Sequence, residues 1–125
     1  MLSRTTGNVR LNTQYVKPMQ VKVNTDNNIN GTEDFKTKAR DAVENGLRRY
    51  SDRITRVEVH LSDENAERGT SAAGDKRCLL EARISGMQPI AVTENAAHVE
   101  QALNGAIDKA LRTIGKTIDK ARNHR

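Results

Sequence analysis

Between positions 95 and 122 the apolar residues Val99, Leu103, Ala106, Ile107, Ala110, Ile114, Ile118 and Ala121 return every three or four residues, the period of one face of an α-helix. At 100° per residue, Lys109, Arg112, Lys116 and Lys120 fall together on roughly the opposite face. One side of this segment must pack, and the other is a ridge of cations. Residues 109–125 hold six Lys or Arg against the single acid Asp119, whereas residues 1–108 balance at 15 basic and 15 acidic side chains. The formal charge of +5 is therefore localised. A helix of this length reaches about 40 Å at 1.5 Å per residue, long enough to follow several phosphates along a nucleic acid. The plain alternative is a solvated surface face.

A chain of 125 residues makes one domain with a modest core. Its single cysteine, Cys78, excludes an intrachain disulfide and suits a reducing cytosol. Cys78 stands in a strand-like run among apolar neighbours and reads as a buried structural thiol, since no adjacent pattern would lower its pKa. No run approaches the 18 or so apolar residues of a membrane span, and the first residues lack the apolar core of a secretory signal. The expected location is cytoplasmic. A pI near 9.7 favours an acidic partner, nucleic acid being the commonest. Tyr15, Phe35 and Tyr50 are the only aromatic side chains, so stacking on unpaired bases is an unsuitable mode. Phosphate contact and shape recognition remain.

Residues 1–18 are polar, aperiodic and end at Pro18, which predicts a flexible extension and makes Met19 a candidate natural start. Alternation then marks a strand over 19–24, with Met19, Val21 and Val23 on one side. Asp26, Asn27, Asn28, Asn30 and Gly31 supply turn chemistry. Thr32 is placed to cap a helix running to about Tyr50, with Glu33 and Asp34 favourable in its first turn. Its buried stripe is Phe35, Ala39, Ala42, Val43, Leu47 and Tyr50, and Gly46 on the same face would admit another element. Arg48 and Arg49 suit its C-terminal end through the helix dipole, and with Lys38 they add to a cationic surface.

A second strand is predicted over 54–61, with Val57, Val59 and Leu61 inward and Glu58 and His60 outward. His60 reads as a lone, solvated histidine. Residues 62–76 read as a mobile hairpin connection whose acids Asp63, Glu64 and Glu67 lack metal-loop spacing. Strands over 77–85 and 90–93 follow, Pro89 being tolerated at the start of the latter. Asn95 or Thr93 then caps the long helix. The order β-α-β-β-β-α predicts a two-layer α+β sandwich over 19–122, with a short tail at 123–125. Its four-stranded mixed sheet carries both helices on one face and leaves the other mostly wet.

The stretch Asp52, Arg53, Ile54, Thr55, Arg56, Val57, Glu58, Val59, His60, Leu61, Ser62 resembles the ribosome hibernation promoting factor and ribosome-associated translation inhibitor family. The short first strand with its Asn/Asp-rich turn, and Ala106, Ile107, Asp108 leading into a basic helix, add to the resemblance. It covers residues 19–120 and implies the same β-α-β-β-β-α fold, similar to a double-stranded-RNA-binding domain. It also implies a place in the decoding channel of the small ribosomal subunit, where family members block mRNA and tRNA in idle or stressed cells. Lys116 and Lys120 stand where the family's second helix is usually basic. Thr113 occupies a position where that helix often has Lys, and Lys109 and Arg112 are off the usual positions. The chain resembles the short form of the family, without its additional dimerisation domain.

The expected partners are thus the small subunit and its rRNA, bound through Lys109, Arg112, Lys116 and Lys120 with Lys38, Arg48 and Arg49, in competition with mRNA and tRNA. No membrane, small-molecule substrate, cofactor or metal is expected. A rival reading is a protein-interaction regulator, such as a transcription-factor modulator, that uses the open sheet face. An enzyme has little support, because no nucleophile and base pairing, Gly-rich phosphate loop or His/Cys ligand spacing occurs, and His98 and His124 lack partners in sequence.

Overall fold

In the computed structural model, which describes residues 19–64 and 76–123, alternation yields four strands: β1 (Gln20–Thr25), β2 (Ile54–Asp63), β3 (Lys76–Ile84) and β4 (Ile90–Ala96). Register aligns their apolar residues in rows. Val23 lies beside Val59, Leu80 and Val92, and Val21 lies beside Val57, Ala82 and Ile90. Such cross-strand pairs are the unit of sheet stabilisation, and a slip of one residue would turn them to water. The sheet order is β1-β2-β3-β4, the first pair parallel and the other two antiparallel.

A parallel pair needs a crossover, which α1 (Glu33–Gly46) supplies. The Thr32 hydroxyl accepts a hydrogen bond from the Phe35 N–H at 3.1 Å, and Glu33 and Asp34 face the positive end of the dipole. Asp26 organises the preceding turn. One of its carboxylate oxygens accepts from the Asn28 N–H at 3.0 Å and the other from the Asp63 N–H at 3.2 Å, which ties the turn to the end of β2. The first helix stops at Gly46 and does not run on to Tyr50. Leu47 leaves the helical region at φ −107°, ψ 14°, and the chain tightens into a 3-10 turn over Arg48–Tyr50, a common way for a helix to end. Leu47 itself is fully buried, so the apolar stripe continues through the change.

The long helix, α2 (Val99–Asn123), begins four residues later than its sequence predicts. Neither Asn95 nor Thr93 stands at its N-cap position. Both lie in β4, where Asn95 stands opposite Arg77 and Thr93 opposite Leu79. The ladder with β3 claims residues whose local chemistry suits a cap, and the first helical bond runs from the Ala102 N–H to the His98 carbonyl at 3.0 Å. The buried stripe is Ala102, Leu103, Ala106, Ile107, Ala110, Ile114 and Ile118. Ala121, on the expected stripe, is exposed, because the last turn runs past the core.

Both helices cover the same sheet face, α2 over β3 and β4 and α1 over β1, around one core. They meet where side chains are missing. A Cβ on Gly46 would collide with Cγ2 of Ile107, and one on Gly115 would lie 3.0 Å from the Tyr50 hydroxyl. The close approach expected at Gly46 is therefore made by α2. The expected extension over 1–18, the connection over 65–75 and residues 124–125 fall outside the described residues. Ser62 and Asp63 belong to β2 and Lys76 to β3, and the Lys76 ammonium meets Asp63 at 3.3 Å.

Cys78 is fully buried under α2, as the sequence predicts. Burial first, and then the nearby Glu94 carboxylate, push its thiol from 9.0 up to about 12. The folded state thus disfavours the thiolate while the unfolded chain ionises normally. This stability is fully present below pH 9 and is lost as pH rises from about 9 towards 12. The expected result is negligible reaction of the native chain with a thiol reagent at pH 8 and full reaction in denaturant. Rapid labelling without unfolding would contradict the burial.

Candidate nucleic-acid interface

The helical period divides the cations of α2 into groups. At 100° per residue Lys109, Thr113, Lys116 and Lys120 form one strip, and Lys109 shows which way it faces. Its ammonium donates to the Thr93 carbonyl at 2.8 Å and pairs with Glu94 at 2.8 Å, so this strip lies along the β4 flank of the helix. Glu94 is a core-side residue of β4, opposite Cys78, and its side chain emerges past Gly105. The charge of Lys109 is thereby offset within the fold. An exposed pair of this kind is worth at most about 1 kcal/mol, so a phosphate can compete for the lysine.

Lys116 and Lys120, one turn apart, are exposed and have no hydrogen-bond or ion-pair partner among the described residues. They border a shallow groove of about 420 Å³ with Thr113, Thr117 and Asp119. The Thr117 hydroxyl donates to the Thr113 carbonyl at 2.8 Å. Asp119 brings one negative charge to the rim, which the charge pattern of the helix shows in advance. Arg112 is exposed and turned towards the solvent crest, where Asp108 and Asp119 also project.

The remaining candidates lie across the helix. Tyr50 adjoins Gly115 on the flank of α2 facing away from β4, and the Arg49 guanidinium sits 5.7 Å from the Tyr50 ring centre. Arg48 donates to the Asn45 side-chain oxygen at 2.8 Å. Lys38 shares an i, i+4, i+8 ridge of α1 with Ala42 and Gly46, the ridge that touches α2. The fold therefore brings Lys116 and Lys120 together and sets Arg48, Arg49 and Lys38 on the other side of α2. A helix with its side chains is about 10–12 Å across, so no single phosphate could reach both groups.

The open sheet face is charged. Lys22, Arg56, Glu58, Glu81 and Arg83 project from it, and Leu79 is its one large apolar side chain among the described strand residues. His60 is not the lone histidine its sequence suggests, since it contacts Asn24 and Glu81. Among the described residues no helix is long and apolar enough to cross a membrane.

Comparison with known proteins agrees with the fold. The chain is similar in fold to the Protein Y N-terminal domain of Thermus thermophilus, at a TM-score of 0.61 and 20% identity, over 78% of this chain and 98% of that one. It is also similar to a ribosomal subunit interface protein from Coxiella burnetii, at a TM-score of 0.57 and 12% identity, over 78% of this chain and 96% of that one. No curated protein sequence matches it. Residues 21–122 match the family described as sigma 54 modulation protein / S30EA ribosomal protein. That match spans β1 to the last turn of α2, and by it the chain belongs to this family of ribosome-binding factors, which are not enzymes.

Proposed function

We propose that this chain binds the rRNA of the small ribosomal subunit through the strip of Lys116 and Lys120, and that its body fills space in the decoding channel needed by mRNA and tRNA. Translation is thereby held off in the cytoplasm of idle or stressed cells. The observation that carries the reading is the pairing of two exposed lysines, one turn apart and without a partner among the described residues, on a helix whose family binds ribosomes. Free ammonium groups exchange counterions for phosphates and give affinity and orientation with little sequence reading. Arg112 extends the strip along the crest. Arg48, Arg49 and Lys38 reach a second line of phosphates across the helix.

Co-sedimentation with ribosomes and isolated subunits at several salt concentrations tests this. The expected result is saturable small-subunit binding that falls steeply with salt and is displaced by mRNA or tRNA. Equal binding to any structured RNA would remove the decoding channel from the reading. The family description also names modulation of sigma 54, which favours, as a second reading, a protein-interaction regulator working through the open sheet face. Salt-insensitive binding to a protein, with no ribosome binding at low salt, would establish that reading in place of the first.

A further inference from the structure

The wet side of the sheet, away from both helices, gathers a second set of chemical groups. Register places Glu58 directly opposite Glu81, an arrangement of like charges that destabilises a sheet. His60 lies two residues along β2 on the same side, with its Nε2 3.3 Å from Oε1 of Glu81. One donor atom from each of the three side chains lies within 4.8 Å of the others. Asn24, opposite His60 on β1, brings its side-chain amide to 3.4 Å from Nδ1. With the amide turned so that its oxygen accepts from Nδ1–H, the ring is held and the Nε2 lone pair is left for another group.

We infer that Glu58, His60 and Glu81 form a binding site for a divalent transition-metal ion of the Zn²⁺ class, bridging β2 and β3 on the open sheet face. The donor set selects the ion, since an imidazole with two carboxylates suits Zn²⁺ and its first-row neighbours, whereas Ca²⁺ and Mg²⁺ take oxygen ligands. Donors at about 2.0–2.2 Å from a tetrahedral centre stand roughly 3.3–3.6 Å apart. His60 and Glu81 already have that separation, at 3.3 Å. Glu58 closes on the same point by a change of rotamer and leaves its contact with Arg56, now 3.2 Å long. Three protein donors leave a fourth position to water. The ion adds positive charge between the opposed carboxylates and clamps the two strands. The donor side chains are 29%, 40% and 48% exposed for Glu58, His60 and Glu81, so the ion exchanges readily and binding is moderate.

Calorimetric titration of the full chain with Zn²⁺ tests the site. The expected isotherm has one ion per chain and saturates well below millimolar Zn²⁺, and the melting midpoint rises in the presence of the metal. His60→Ala and Glu81→Gln each weaken binding at least tenfold, whereas Arg56→Ala, which releases Glu58, tightens it and His98→Ala leaves it unchanged. Both weakening substitutions are on an exposed face, and metal-free melting checks that each variant is folded. An independent readout on the unaltered chain is the His60 ring resonance, expected to broaden on adding Co²⁺ ahead of the other histidines. Absence of saturable binding up to millimolar Zn²⁺, an isotherm unchanged in His60→Ala, or an undisturbed His60 resonance would each overturn the proposal.

Discussion

Replacing both Lys116 and Lys120 by Glu is expected to weaken small-subunit binding by two to three orders of magnitude at low salt while the protein stays folded. Each lysine removes one phosphate contact when lost, so the slope of log affinity against log salt falls by about two. Each introduced carboxylate then repels the backbone that its predecessor attracted. A combined loss of about 3–4 kcal/mol corresponds to that change in affinity. Stability responds weakly, because neither lysine has a partner among the described residues and exposed substitutions usually stay within about 0.5 kcal/mol. Glu near the negative end of α2 adds a dipole penalty of about 0.3–1 kcal/mol, a shift of a few degrees in melting. Lys109→Ala is the informative control. It breaks the contacts with Glu94 and Thr93, and its effect on binding is smaller because that charge is already offset. A folded double variant that sediments with ribosomes as the parent does would remove the mechanism.

Ile114→Ala, two residues from Lys116, should behave in the opposite way. Ile114 is completely buried in the core between α2 and the sheet. Truncating such a side chain loses its transfer free energy and leaves a cavity, together about 2–5 kcal/mol. For a domain of about 100 residues that is a fall of roughly 10 °C or more in melting midpoint, measurable by thermal or denaturant unfolding. The fraction that remains folded retains Lys116 and Lys120 and binds with near-parental affinity. A loss of stability below about 1 kcal/mol would mean that α2 does not pack on the sheet through this residue.

These two substitutions also show which parts of the molecule were legible in its sequence. The apolar stripe of α2 from Leu103 to Ile118, the inward residues of β2 and β3 and the capping role of Thr32 depend on neighbours within a few positions, and each stands as the sequence predicts. The start of α2 does not. Asn95 has the side chain of a cap, yet its backbone pairs with Arg77, eighteen positions earlier, and local propensity carries no record of that ladder. The same blindness explains His60 and Lys109. Glu81 and Glu94 become their neighbours only once the strands are in register and α2 is docked. The division of the cations between the two flanks of α2 likewise needed the contacts of Gly46 and Gly115 to be known.

The hold of Lys109 on the Thr93 carbonyl bears on what can pair with the edge of the sheet. β4 is a border strand of seven residues, and such a strand offers a template on which a foreign strand can grow. A hydrated ammonium seated on one of its backbone oxygens, and anchored there by Glu94, puts an unmatched charge in the path of an incoming chain. So placed, the lysine opposes self-templated assembly for as long as Glu94, and not a phosphate, holds it.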